Sequence, residues 1–123
     1  MPKFNRVGLY FGSFNPMHVG HLFVIEEALK TTIDKLYIIV SPQSPFKDTR
    51  DLASFDDRLN MTKITIEEKG LNDRVEVVDW ERDRYPSYTI DTLEYAKEHL
   101  GRDNDYIIFM GLDNFLSIDS WKQ

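Results

Sequence analysis

Residues Arg6–His21 read RVGLYFGSFNPMHVGH. The first six, RVGLYF, are a short run rich in β-branched and aromatic side chains, the pattern of a strand buried on both faces. The composition then changes abruptly. Gly12, Ser13, Asn15, Pro16 and Gly20 crowd a junction that also holds His18 and His21, two of the chain's three histidines. Leu22, Ile25, Ala28 and Leu29 follow at helical spacing. The stretch therefore reads as a strand that breaks into a helix through a polar turn.

The same alternation continues downstream. Lys35–Val40 (KLYIIV), Arg74–Val78 (RVEVV) and Tyr106–Met110 (YIIFM) are further strand patterns. Ser54–Asp57 (SFDD) has the form of a capping box opening a helix through Leu59, Thr62 and Ile66, with Gly70 placed to end it. A third helix runs from about Ile90 through Leu93, Ala96 and Leu100, with Gly101 at C′. Four strands alternating with three helices predict α/β architecture: right-handed βαβ units and a doubly wound parallel sheet, in one domain over residues 1–123. In such sheets ligands bind outside the carboxyl ends of the strands. The candidate loops are then Gly12–His18, Ser41–Asp48, Asp79–Thr89 and Gly111–Asp113.

Composition narrows the function class. The 123 residues contain no Cys, which excludes disulfide frameworks and thiolate metal sites and points to a reducing compartment. Neither a signal-peptide pattern nor an apolar run long enough for a bilayer is present, so a cytoplasmic location and no membrane partner are expected. A formal charge of −6 argues against a nucleic-acid partner, which needs a broad cationic footprint. It leaves room for a small anion at a helix N-terminus.

Residue by residue, Gly12 lets the backbone approach a ligand, Ser13 offers a hydroxyl, and Asn15-Pro16 makes a rigid turn. His18 and His21 share a helix face, and Gly20 opens room beside them. Two imidazoles at the positive end of a helix dipole suit phosphate oxygens. Two other readings stand beside that one: ordinary surface or core histidines, and a metal pair. The metal reading lacks a third ligand, and Val19 stands where a zinc peptidase carries its Glu.

GSFNPMHVGH resembles the signature of the HxGH nucleotidylyltransferase superfamily, roughly G-S/T-F-D/N-P-x-H-x-G-H. Three later stretches are similar to motifs of its nicotinate- or nicotinamide-mononucleotide adenylyltransferases: Ser41–Lys47 (SPQSPFK), Pro86–Leu93 (PSYTIDTL), and Gly111-Leu-Asp113 with Trp121-Lys122. The resemblance implies a Rossmann-like sheet and transfer of AMP from ATP to nicotinate mononucleotide, giving nicotinate adenine dinucleotide and pyrophosphate. His18, His21 and Lys47 would then be the catalytic set, binding triphosphate oxygens. Each donor would lower the barrier by about 3 kcal/mol. Mg2+ would accompany ATP, held by phosphate and water rather than by a protein cage. Gly12, Ser13 and Phe14 would line the cleft with backbone and side chain, and Gly111 would join them. Asp113 would meet the adenosine ribose, and Thr89 and Trp121 the pyridine ring.

Plainer roles stand beside these: core packing for Trp121, a turn or cap for Asp113, a helix cap for Thr89, a solvated loop for Lys47. Arg58 reads as structural or ion-paired, His99 as a cation suited to a helix C-terminus, and Asp79–Asp83 as a solvated acidic loop. On the phosphate reading, replacing His18 with Ala is expected to leave stability nearly unchanged and abolish turnover. The superfamily's late motif, S/T-x-T-x-I/L-R, has no counterpart in the 123 residues. The chain is accordingly expected to be the N-terminal portion of a longer enzyme, with an exposed sheet edge that favours a homo-oligomer. Other members of the superfamily, such as a pantetheine-phosphate adenylyltransferase or a cytidylyltransferase, and a catalytically silent nucleotide-binding fragment remain alternative readings.

Overall fold

The sheet is organised around its first strand, β1 (Arg6–Gly12), which pairs on both sides. A computed structural model describes residues 5–14, 17–42, 53–82 and 89–110. After β1 come α1 (Val19–Leu29), β2 (Lys35–Val40), α2 (Phe55–Glu68), β3 (Val75–Val78), α3 (Thr89–Leu100) and β4 (Asp105–Met110). All pairings are parallel and the strand order is β3-β2-β1-β4, so the α/β doubly wound expectation holds. The chain steps outward from β1 to β3, then crosses back to place β4 on the other side of β1. The order therefore reverses between β1 and β4.

Side-chain alternation explains why helices cover both faces. Tyr10, Leu36, Ile38 and Val75 point to one face and pack with Ile25 and Ala28 of α1 and Leu59 and Ile66 of α2. Val7, Leu9, Phe11 and Ile39 point to the other and pack with Ala96 of α3. Gly8 sits where a Cβ would fall 2.8 Å from Leu36 Cδ1 and 3.0 Å from Ile33 and Phe109, so the first face closes over it only because it lacks a side chain. β1 is buried from Val7 to Phe11, whereas β4 is half-buried along residues 106–110 and stands at one end of the described sheet.

Helix ends follow the expected chemistry. Ser54 caps α2 by accepting from the Asp57 N–H at 3.1 Å. Gly70 (φ 69°) and Gly101 (φ 118°) both follow helices in left-handed backbone that a Cβ would strain. Boundaries move by a residue: β1 extends to Gly12, β3 starts at Val75 because Arg74 belongs to the preceding turn, and α3 starts at Thr89. Among the described residues no helix is long and apolar enough to cross a membrane.

Candidate phosphate-binding site

Register brings the strand ends level. Gly12 lies opposite Val40, and Phe11 opposite Met110, so the loops after β1, β2 and β4 leave from one edge of the sheet. The crevice between β1 and β4 is where the strand order reverses. α1 begins at that edge with no acidic residue in its first turn, whereas α2 and α3 carry Asp56, Asp57 and Asp91 in theirs. The positive end of α1 is thus left uncompensated by its own side chains.

His18 and His21 do meet there, and the pair does more than share a face. His18 is the N-cap of α1: its Nδ1 accepts the Gly20 N–H at 3.0 Å. His21, three residues on, accepts the His18 N–H on its own Nδ1 at 3.0 Å. The two rings stack, with centroids 3.8 Å apart and planes 26° apart. Because each Nδ1 lone pair is engaged by a backbone N–H, each neutral ring carries its proton on Nε2. That leaves Nε2–H as a donor on both histidines, the form that suits phosphate oxygens. A metal on Nε2 would require Nδ1 to carry the proton instead, which the two caps forbid. Among the described residues no group of three His, Cys, Asp or Glu side chains could hold a metal ion.

Three details differ from expectation. Phe14 does not line a cleft with its side chain. Its ring is buried at 1% exposure, edge-on to Tyr10 (5.2 Å) and to His21 (4.9 Å). To put it there the backbone adopts φ 49°, a left-handed conformation that costs a bulky residue energy. The space beside Gly12 belongs to this ring, since a Cβ there would lie 2.8 Å from Phe14 Cζ. The room beside Gly20 is likewise taken, by the His18 ring at 2.9 Å from such a Cβ. The missing side chains thus make room for the Phe14 ring beside Gly12 and for the capping His18 ring beside Gly20.

The chain was compared with known proteins through this architecture and through its sequence. A family model described as cytidylyltransferase-like matches residues 9–123. The chain belongs to that family. It is 37% identical over 119 residues to a protein of Cytophaga hutchinsonii named nicotinate-nucleotide adenylyltransferase, covering 95% of this chain and 60% of the relative. A Brucella suis protein of the same name is 37% identical over 118 residues, with 95% and 58% covered. The chain thus spans about three-fifths of the length of these relatives. Among solved structures, a nicotinate-nucleotide adenylyltransferase from Vibrio parahaemolyticus superposes with a TM-score of 0.78 at 23% identity, over 97% of this chain and 65% of that one. A Plasmodium falciparum nicotinic acid mononucleotide adenylyltransferase complexed with NaAD superposes with a TM-score of 0.78 at 25% identity, over 97% and 58%.

Around the His18–His21 pair the remaining candidates distribute unevenly. Ser13 is half-buried beside Gly12, and Thr89 is the first residue of α3 rather than a residue before it. Lys47, Gly111, Asp113 and Trp121 lie outside the described residues. His99 lies in the last turn of α3 and stacks on Tyr95 with ring centroids 3.9 Å apart.

The acidic loop is not uniformly solvated. Asp79 is exposed and pairs with Arg82, but Glu81 is 2% exposed and accepts the Thr92 hydroxyl at 2.6 Å. Arg58 is structural, as read, and it is 1% exposed. Its hydrogen bonds run to main-chain carbonyls: Nε to Ala53 at 2.8 Å, Nη1 to Ser13 at 3.0 Å and Ser41 at 2.5 Å, Nη2 to Pro42 at 2.7 Å. Burial pulls its pKa below the usual arginine value. A signal for it was present, because Arg58 precedes Thr62 and Ile66 by four and eight residues on the buried face of α2.

Proposed function

We propose that the protein is a nicotinate-nucleotide adenylyltransferase, transferring AMP from ATP to nicotinate mononucleotide. The observation that carries this reading is the reciprocally capped pair His18–His21 at the head of α1, which presents two Nε2–H donors at the strand-order reversal. The names of the relatives supply the substrate class. The mononucleotide phosphate attacks the α-phosphorus of ATP, and the bond to the leaving pyrophosphate breaks. No protein nucleophile is needed, so the chain's work is to place two anions and to stabilise charge as it develops. His18 and His21 donate to the triphosphate, where the negative charge on the leaving group grows. Lys47, from the loop after β2, joins them as a point charge. Gly111, Asp113, Thr89 and Trp121 are assigned to the nucleosides and the pyridine ring. Mg2+ bound with ATP would supply neutralisation of phosphate charge, and it would be held by phosphate and water rather than by the capped histidines.

The test is pyrophosphate release from ATP and nicotinate mononucleotide. Absence of release with these substrates sinks the reading. Release with CTP or with 4′-phosphopantetheine instead would move the protein to another activity within the family.

A further inference from the structure

We propose that Arg58 is a positioning residue that fixes the turn after β1, which leads to the histidine pair, against the turn after β2 at Ser41 and Pro42. Four hydrogen bonds from one planar guanidinium reach three separate pieces of backbone: the turn after β1 at Ser13, the turn after β2 at Ser41 and Pro42, and the residue before the α2 cap at Ala53. Ser13 precedes Phe14, whose left-handed backbone seats its ring against His21. Ser41 and Pro42 follow β2 at the same edge of the sheet, and Ala53 leads into the α2 cap. The Ser41 N–H also donates to the Gly12 carbonyl at 2.9 Å, so the clamp prolongs the β1–β2 ladder past the last strand residues.

The geometry calls for a fork rather than a charge. A lysine ammonium at the same position could satisfy one or two carbonyls, but it cannot span three segments in a plane. Moving the turn after β1 by about 1 Å would displace Phe14 and with it the histidine donors, enough to cost on the order of 100-fold in rate. Arg74 is the built-in control. It bonds the Leu29 and Ile33 carbonyls at 3.1 and 2.8 Å with the same chemistry, at the edge of the sheet away from the site.

The kinetic half of the test rests on the function proposed above; the exchange half does not. In the full-length protein, Arg58→Lys is compared with Arg74→Lys by NMR amide exchange and by steady-state kinetics. For Arg58→Lys the expected result is a cooperative thermal transition and Ser41 amide exchange faster by about tenfold, with amides inside β1 and β2 unchanged. The rate kcat/KM should fall about 100-fold, mostly in kcat. Arg74→Lys should match the parent protein in both the Ser41 exchange and kcat/KM. Parent-like exchange and turnover in Arg58→Lys overturn the proposal. If Arg58→Lys does not fold, Arg58→Ala with added guanidinium decides: recovery of Ser41 protection supports the fork, and no recovery assigns Arg58 to folding alone and overturns positioning. If the parent itself releases no pyrophosphate, the substrate reading fails and the exchange result still judges Arg58.

Discussion

Arg58 and Arg74 use one device at opposite ends of the sheet. Each guanidinium grips main-chain carbonyls from segments distant in sequence, and each joins a helix to the ends of neighbouring strands. They differ in solvent. Arg58, at the carboxyl edge, is 1% exposed, while Arg74, at the amino edge, is exposed. Water can take over the exposed Arg74–Leu29 bond, whereas the Arg58 side chain is closed off from solvent against half-buried turns. The difference indicates where the fold concentrates rigidity: at the edge of the proposed phosphate site, not at the edge that only turns the chain around.

Replacing each guanidinium with an apolar chain of similar length breaks or sharpens that contrast. Arg58→Met leaves four part-buried carbonyls without their donor and should destabilise by about 3 kcal/mol. Arg74→Met should cost about 1 kcal/mol, because solvent takes over its acceptors. Urea unfolding measures both. Equal losses would mean that burial at the carboxyl edge does not matter and that the two clamps are equivalent.

What could be read in the sequence follows the same division. The strands were legible because β1 and β2 are apolar on both faces, which signals burial without any partner being known. Gly70 and Gly101 marked helix ends because left-handed backbone selects for glycine at C′. The histidine pair stood out as a candidate phosphate site but not as a capping pair, since His is not among the usual N-cap residues and its Nδ1 has to be seen accepting. Glu81 was not legible at all. It sits in an acidic run, yet it is buried and accepts the hydroxyl of Thr92, eleven residues later in the chain. Local pattern reports periodicity and caps; it does not report which carbonyls or hydroxyls tertiary structure delivers to a charge.

The capping role changes what His18 substitutions should do. Because Nδ1 caps α1, His18→Ala should cost about 1 kcal/mol, contrary to the expectation of unchanged stability. His18→Asn places an acceptor where Nδ1 stood and should restore most of that loss, yet it has no donor in the Nε2 position. His18→Gln places its amide near the Nε2 position and should keep more turnover than Asn while losing the cap. Thermal melts and pyrophosphate release, read together, separate the two ring nitrogens. If Asn and Gln behave alike in both assays, the division of labour between Nδ1 and Nε2 is wrong.

The last contrast comes in alkali, and it again sets a buried group against an exposed one. Burial under α1 and α2 raises the Tyr10 phenol from 10.0 to about 12. The unfolded chain releases that proton near pH 10, while the folded chain holds it until about 12, so the folded state binds more protons across the interval. The Tyr10 contribution is therefore complete below pH 10 and is lost as pH rises toward 12. At the amino end, Lys35 is raised by its hydrogen bond to Glu76 at 3.0 Å, and its contribution also fades as pH climbs past the ordinary lysine value. Salt distinguishes the two. The exposed Lys35–Glu76 pair is screened at high ionic strength, whereas the buried phenol is not. Tyr10→Phe should therefore flatten the decline in melting temperature between pH 10 and 12 even in high salt. A slope that salt abolishes in the parent protein would place the alkaline loss on the surface pair and remove Tyr10 from the account.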